Sequence, residues 1–259
     1  MLPEFHIGPF TFQGFAVAQM YAVAATAYVV WLQWGRDSSE GGTVWKTAAV
    51  VGSAALFGLA GTRLWDAWRP VVLGGLVSDP RALAWSSQWI FAELLSALAG
   101  AALVLKMTRV PLLKGLDFLA PGLALGHAIQ RVGCFLSGDG CYGPPTDLPW
   151  GIAFPHGTVP TSVPVHPTML YEATLMLGIF ALLWNLRARL PLGGAFALFL
   201  GLVGTGCFLT QFLLPGPALG FGLTEAQLTA LLVAPAGGVL LFRLRQRSEH
   251  RIATQAAPA

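Results

Sequence analysis

Long apolar segments recur along the whole chain, and they limit what it can fold into. An α-helix needs roughly 20 mostly apolar residues to cross the hydrocarbon core of a bilayer. Seven segments approach this length: Phe12–Leu32, Thr47–Trp65, Trp85–Leu105, Leu116–Leu136, Thr168–Trp184, Gly193–Leu214 and Ala226–Phe242. Only 10% of the 259 residues are charged, against about 25% in soluble domains. The sequence therefore predicts an all-α integral membrane protein with seven transmembrane helices.

The positive charges predict the orientation of these helices, because Lys and Arg concentrate in short cytoplasmic loops. With the N-terminus outside, most of the 15 Lys and Arg fall on the cytoplasmic side. These are Arg36, Lys46, Lys106, Arg109, Lys114, Arg187, Arg189, Arg243, Arg245, Arg247 and Arg251. The outer side holds only Arg63, Arg69 and Arg81, and Arg131 lies within the fourth span. We expect the N-terminus outside and the C-terminus in the cytoplasm.

A single transmembrane domain over residues 1–259 is the simplest organisation, because no internal repeat is evident. The first ten residues lack the basic start of a signal peptide, so the first apolar segment is expected to remain as a span. The segment 137–167 is rich in Gly and Pro and too long for a tight turn. It is expected to form a small outer cap between spans four and five. The body of the chain has no basic run, so no nucleic-acid partner is expected.

Four polar residues of the fourth span share one helical face. His127, Gln130, Arg131 and Cys134 follow the spacing i, i+3, i+4, i+7. Ionisable side chains inside a bilayer are costly and are functional candidates for that reason. The planar guanidinium suits a lipid phosphate, since it forms paired, charge-assisted hydrogen bonds. The alternative is that Arg131 pairs with Asp117 or another acid and only ties helices together.

Two carboxylates add to this set. Glu172 lies about one turn into the fifth span, where it needs a cationic partner, and Arg131 or Arg63 would supply one. A purely structural ion pair remains the alternative for Glu172. Glu93 lies early in the third span and is a candidate base or a partner of the helix dipole.

Metal binding is not expected from the sequence. The three cysteines and five histidines show no ligand spacing such as Cys-x-x-Cys or His-x-x-x-His. Cys134 and Cys141 flank the entrance to the predicted cap, and a disulfide between them remains an open alternative.

Four motifs along the chain resemble those of one known family. The segment Gln130-Arg-Val-Gly-Cys-Phe-Leu-Ser-Gly-Asp-Gly-Cys-Tyr-Gly143 resembles the signature Gly-Arg-x-Gly-Asn-Phe-x-Asn-Gly-Glu of bacterial prolipoprotein diacylglyceryl transferases. His166-Pro-Thr-Met-Leu-Tyr-Glu172 resembles His-Pro-[Ser/Thr]-x-Leu-Tyr-Glu. Ile7-Gly-Pro-Phe-Thr-Phe-Gln-Gly14 resembles the family's opening, and Gly61-Thr-Arg63 its Gly-x-Arg at the end of span two. Their order and spacing agree over nearly the whole chain.

The resemblance implies a lipid-to-protein transfer in the bacterial inner membrane. A diacylglyceryl group would move from phosphatidylglycerol to the lipobox cysteine thiol of a pre-lipoprotein, and glycerol 1-phosphate would leave. The reaction needs no cofactor. The partners would be phosphatidylglycerol and the lipobox peptide. The residues expected to carry catalysis are Arg131, Glu93 and His127. The residues expected to bind substrate are Arg63, Gln130, Gly133, Ser137, Gly138, Asp139, His166, Tyr171 and Glu172.

The chain also departs from the family pattern. Cys134 replaces an asparagine, Asp139 replaces a glutamate and is followed by Gly140, and Phe91-Ala-Glu93 stands where the family has His-Gly-Gly. Cys207 falls near the position of a second arginine in span six. A non-catalytic lipid-binding or accessory protein on the same scaffold is therefore the alternative. A solute transporter is a third reading, but neither broken helices nor repeated halves are clear.

Overall fold

The computed structural model describes residues 4–7, 10–36, 43–73, 90–214, 216 and 218–256. The helices in these ranges are α1 (Gly14–Arg36), α2 (Thr43–Leu73), α3 (Ile90–Met107), α4 (Leu112–Ser137), α5 (Thr168–Leu186), α6 (Gly194–Thr210) and α7 (Glu225–Ala256). A 3₁₀ turn, Gln211–Leu213, follows α6. Three short antiparallel ribbons join β1 (Glu4–Ile7) to β2 (Phe10–Gln13), β3 (Ile152–Phe154) to β4 (Thr161–Val165), and β5 (Ala218–Gly220) to β6 (Leu223–Thr224).

The predicted all-helical fold is confirmed, and six of the seven described helices are long and apolar enough to cross a membrane. The exception is α3, and residues 85–89 of its predicted span lie outside the described residues. Large apolar side chains face outwards from the bundle: Met20 is 73% exposed, Leu64 62% and Leu232 74%. Such a surface is unfavourable in water and is suited to contact with lipid chains.

Two helices extend beyond their predicted spans. The second span was predicted to end at Trp65 and the seventh at Phe242, whereas α2 continues to Leu73 and α7 to Ala256. Hydropathy detects only the part of a helix that lies in lipid, whereas backbone hydrogen bonding continues into the polar residues that follow.

Small residues let α4 pack closely against α1. A side chain at Gly122 or Gly126 would meet Thr26, and one at Gly133 would meet Ala18. The hydroxyl of Thr26 donates a hydrogen bond to the carbonyl of Gly122 at 3.0 Å. Close contact through small residues, with a hydroxyl bonding across the interface, is typical of helix pairs in membranes.

Asp117 fixes the start of α6 against α4. Its carboxylate accepts hydrogen bonds from the backbone N–H groups of Gly193 (2.6 Å) and Phe196 (2.9 Å). A carboxylate at the N-terminus of a helix satisfies unpaired N–H groups and interacts favourably with the helix dipole. The alternative in which Asp117 pairs with Arg131 is therefore wrong; another acid holds that arginine.

Residues 138–167 fold as a small cap over the end of α4. Gly138 has φ 59° and Gly140 has φ 89°, a left-handed backbone that glycine adopts without strain. The N–H of Thr158 donates to the carbonyl of Ser137 at 2.9 Å, and the N–H of Val159 donates to that of Gly138 at 2.9 Å. These hydrogen bonds join the turn between β3 and β4 directly to the end of α4.

Aromatic residues fill the inside of this cap. The ring of Tyr142 stacks on Phe154 with centroids 5.3 Å apart, and Phe154 is fully buried. The hydroxyl of Tyr142 donates to the carbonyl of Val159 at 3.0 Å. Burial, with a smaller contribution from the negative charge of Asp139, raises the pKa of Tyr142 above its ordinary value. The cap therefore has an apolar centre of its own.

Candidate functional site

Arg131 of α4 is the centre of a buried polar cluster. Its side chain is only 9% exposed, and its Nε atom lies 2.7 Å from Oε2 of Glu172. The same Nε–H donates to Nε2 of His127 at 3.3 Å. Nη1 lies 4.0 Å from the Sγ atom of Cys134. The polar face predicted for the fourth span is therefore present, with His127 and Cys134 on either side of the arginine.

Glu172 joins three helices at this point. It lies in the first turns of α5 and is 6% exposed. One carboxylate oxygen pairs with Arg131 of α4, and the other accepts a hydrogen bond from the hydroxyl of Thr210, the last residue of α6, at 3.2 Å. The pairing expected between Glu172 and Arg131 is present, whereas Arg63 does not take this place.

Glu93 forms a second polar group beside the arginine. The side-chain amides of Gln130 of α4 and Gln19 of α1 lie next to its carboxylate, and it interacts electrostatically with Arg131. Sequence analysis did not select Gln19. The available signal was a lone amide within an otherwise apolar span, a residue type that often bonds between membrane helices.

A cavity of about 140 Å³ opens next to these side chains. Residues of six helices, α1 to α6, line it. One end is polar and consists of Gln19, Glu93, His127 and Gln130. The remaining wall is almost entirely apolar and includes Val23, Ala55, Leu94, Met176 and Phe199. Such a cavity has the two-sided chemistry of an amphiphile, with a polar headgroup and an apolar body.

The predicted substrate-binding residues at the end of α4 have structural partners. The hydroxyl of Ser137 donates to the carbonyl of Gly133 at 2.9 Å. Gly133 itself packs against Ala18 of α1, and Gly138 meets Gly157 of the cap. One carboxylate oxygen of Asp139 accepts the backbone N–H of Cys141 at 3.2 Å. These residues shape the junction between α4 and the cap.

His166 and Tyr171 form a separate polar group at the start of α5. The hydroxyl of Tyr171 accepts a hydrogen bond from the indole N–H of Trp150 at 2.7 Å and lies 3.4 Å from Nδ1 of His166. The hydroxyl of Thr168 donates to the carbonyl of Cys141 at 2.6 Å. These contacts therefore fasten the cap to α5, and none of the four side chains lines the cavity.

Arg63 lies apart from the cluster. Its side chain is exposed and is not part of the cavity wall. Leu59, one turn earlier on α2, does line the cavity. Residues four apart share a helical face, so Arg63 lies on the same face as Leu59 but beyond the end of the cavity wall. The structure thus brings Arg131, Glu172, His127, Gln130 and Glu93 together and leaves Arg63 outside.

A cluster that spacing alone did not predict lies on the cap side of Arg131. The Sγ atoms of Cys134 and Cys141 and a carboxylate oxygen of Asp139 all lie within 4.8 Å of one another. Both cysteines are free thiols. Short, regular ligand spacings do not reveal this group, because it forms across the turn that ends α4.

The fold and the site define a class of protein. A bundle of membrane-length helices encloses an apolar cavity with a buried guanidinium–carboxylate pair beside its polar end. This arrangement is that of a helical membrane protein with an internal amphiphilic cavity and a buried cation beside it.

Comparison with known proteins identifies the family. Residues 4–243 match the model of the prolipoprotein diacylglyceryl transferase family, and the chain belongs to this family. It is 34% identical over 240 residues to phosphatidylglycerol–prolipoprotein diacylglyceryl transferase 2 of Streptomyces coelicolor, covering 88% of this chain and 74% of that protein. The Paenarthrobacter aurescens transferase is 30% identical over 267 residues, covering 93% and 82%. The Clostridium tetani transferase is 30% identical over 157 residues, covering 60% and 63%.

Proposed function

We propose that this protein transfers a diacylglyceryl group from phosphatidylglycerol to the lipobox cysteine of pre-lipoproteins. The thiolate sulfur forms a bond to the terminal glycerol carbon of the diacylglyceryl group. The bond from that carbon to the phosphate oxygen breaks, and its electron pair leaves on glycerol 1-phosphate. The transfer is a substitution that involves no external oxidant or reductant, so it needs no redox cofactor. The observation that carries this proposal is the buried Arg131, placed beside an amphiphilic cavity in a member of this family.

The size and polarity of the cavity suggest how the lipid binds. Pockets that enclose a drug-sized ligand measure roughly 300–1,000 Å³, whereas this cavity measures about 140 Å³. It has room for the glycerol region and the first carbons of a chain. The remaining acyl chains would lie between helices and continue into the surrounding bilayer.

Arg131 would bind and polarise the phosphate. Its Nε–H is engaged by Glu172 and His127, whereas Nη1 contacts, among the described residues, only the distant Cys134 Sγ at 4.0 Å. The Nη groups therefore remain to receive phosphate oxygens. Donors that are already oriented towards developing negative charge lower the barrier of a transfer step.

The neighbours of Arg131 take distinct roles. Nε2 of His127 accepts the Arg131 hydrogen bond, so it carries no proton of its own and holds the guanidinium in position. Glu172 balances the charge of the arginine when no lipid is bound. Glu93 is the proposed proton acceptor for the substrate thiol, because the nucleophile is the thiolate. Gln19 and Gln130 hold its carboxylate at the polar end of the cavity.

The membrane arrangement is part of the proposal. Seven crossings of the bacterial inner membrane, with the N-terminus outside, place the cap at the outer surface, where lipobox peptides are presented. The excess of Lys and Arg in the segments assigned to the cytoplasm supports this orientation. Reporter fusions after Trp150 and after Arg247 test it: the first should be active outside the cell and the second in the cytoplasm. The reverse pattern would contradict the orientation.

Reconstitution tests the transfer itself. Purified protein in phosphatidylglycerol vesicles is incubated with a lipobox peptide, and the mass of the peptide is measured. A gain of one diacylglyceryl group is expected for the unchanged protein and for Arg189→Ala, in which an exposed arginine is removed. Arg131→Ala should give no gain while eluting as a folded protein. Full transfer by Arg131→Ala would overturn the site assignment.

A non-catalytic lipid-binding protein is the second candidate. The observation in its favour is Cys207, which is 4% exposed on α6 where the family resemblance places a second arginine. Under this reading, phosphatidylglycerol would co-purify with the protein in an Arg131-dependent manner, and no preparation would modify the peptide. Any peptide modification by the purified protein would exclude this candidate.

A further inference from the structure

Three side chains of types that can bind metal ions meet where α4 ends and the cap begins. The Sγ atoms of Cys134 and Cys141 and an oxygen of Asp139 lie within 4.8 Å of one another. Cys134 is 3% exposed, and the other two residues are half-buried. No further His, Cys, Asp or Glu from the described part of the chain joins this group.

The local backbone places these side chains. The left-handed Gly138 and Gly140 turn the chain back after α4, so that Cys141 faces the last turns of the helix. The backbone N–H of Cys141 donates to Oδ1 of Asp139, and the carbonyl of Cys141 accepts the hydroxyl of Thr168. These two hydrogen bonds fix the backbone on both sides of Cys141.

We propose that Cys134, Asp139 and Cys141 bind a thiophilic divalent cation, with Zn²⁺ the best match to the ligands. Zinc binds cysteine sulfur at about 2.3 Å and carboxylate oxygen at about 2.0–2.2 Å in tetrahedral geometry. Ligand atoms on such an ion stand roughly 3.5–3.8 Å apart. The three atoms, already within 4.8 Å of one another, need to approach by little more than about 1 Å. Two sulfur ligands favour zinc over magnesium or calcium.

The charges of the group suit a divalent cation. Two thiolates, one carboxylate and a divalent cation leave a single net negative charge, and Nη1 of Arg131 lies 4.0 Å from Cys134 Sγ to balance it. Both cysteines are free thiols and are therefore available as ligands. Binding of the ion would release the protons of the two thiols.

Three protein ligands leave one position of a tetrahedral zinc ion open, as in catalytic zinc sites. Because Cys134 belongs to α4 whereas Asp139 and Cys141 belong to the cap, the ion would tie the cap to the helix that carries Arg131.

Metal content tests the site directly. The full-length protein is purified in detergent, incubated with ZnCl₂, freed of unbound metal and analysed by elemental mass spectrometry. Close to one zinc per chain is expected for the unchanged protein. Cys134→Ser and Cys141→Ser should lose it. Cys207→Ser is the matched control, because Cys207 is also buried but lies outside the group, and it should retain the zinc.

Cobalt titration of the unchanged protein does not depend on how well any variant folds. Thiolate-to-cobalt charge-transfer bands and the visible bands of tetrahedral Co²⁺ are expected to saturate at one ion per chain. Absence of both zinc and these bands would overturn the proposal. So would an intact-mass measurement showing a Cys134–Cys141 disulfide in freshly purified protein.

The peptide-transfer assay keeps the two proposals apart. Stoichiometric zinc with no transfer under any condition would refute the proposed function alone. Transfer by protein that binds neither zinc nor cobalt would refute the metal site alone.

Discussion

The Nε atom of Arg131 lies 2.7 Å from Oε2 of Glu172, and both side chains are less than a tenth exposed. The pair joins α4 to α5, and Thr210 extends the contact to α6. Because the partners are buried, neither can be replaced alone without leaving an uncompensated charge in a poorly solvated place.

Glu172→Gln should therefore reduce both stability and transfer. Breaking a buried ion pair by removing one partner costs about 3–5 kcal/mol, and the guanidinium would lose its orientation. Thermal unfolding in detergent and the peptide-mass assay measure the two effects. The double variant Arg131→Gln/Glu172→Gln should recover part of the stability without recovering transfer. An unchanged midpoint and an unchanged rate in Glu172→Gln would show that the pair serves neither purpose.

Glu93→Gln should separate chemistry from lipid binding. The amide keeps a hydrogen-bonding group at the polar end of the cavity but cannot accept a proton. Loss of a general base lowers rates by roughly 10²–10⁴-fold, and we expect a decrease of this size with little change in phosphatidylglycerol binding. Glu93→Asp is the matched variant and should keep measurable transfer. If Glu93→Gln transfers at the wild-type rate, another group accepts the proton of the substrate thiol.

Filling the cavity should impair use of the lipid. Ala55 of α2 is part of the cavity wall, so Ala55→Trp should occupy space that the glycerol region needs and raise the phosphatidylglycerol concentration required for half-maximal transfer. Ala60→Trp on the same helix is the control, because Ala60 is exposed and not part of the wall. Equal effects of the two substitutions would argue against this cavity as the lipid site.

Gly138→Ala should weaken the junction between α4 and the cap. Gly138 has φ 59°, and a Cβ there would lie 2.8 Å from the Cα of Gly157. The left-handed backbone alone costs roughly 1–2 kcal/mol for a residue with a side chain, so the unfolding midpoint should fall. Gly178→Ala provides the comparison, since a Cβ at Gly178 meets no atom within 4 Å. If both variants unfold at the same temperature, the close contact between Gly138 and Gly157 does not contribute to stability.

The sequence predicted the polar face of α4 because helical periodicity depends only on spacing along one element. It also indicated that Glu172 needs a cation, since the cost of a lone charge in lipid is independent of the fold. Partners from other helices were harder to predict. Gln19 and Glu93 meet through the packing of α1 and α3 around α4, and no local pattern encodes that contact.

The cap illustrates a different limit. Its composition predicted a compact segment, but the proximity of Cys134 and Cys141 depends on two left-handed glycines that reverse the chain within a few residues. Arg63 shows the converse case. A motif suggested that it belongs with the binding residues, whereas its place on α2 leaves the side chain exposed beyond the cavity wall.

The attachment of α4 at both ends has a consequence for how a two-chain lipid enters. Near its start, the carboxylate of Asp117 accepts the N–H groups of Gly193 and Phe196 at the beginning of α6. The backbone carbonyl of Phe118 accepts a hydrogen bond from the side-chain amide of Gln33 at 2.7 Å. At its end, Ser137 and Gly138 hold the cap. The helix that carries Arg131 is therefore held firmly in the bundle. The helices α2 and α3 pack chiefly against each other, so we expect a lipid to load sideways between this pair and the rest of the bundle.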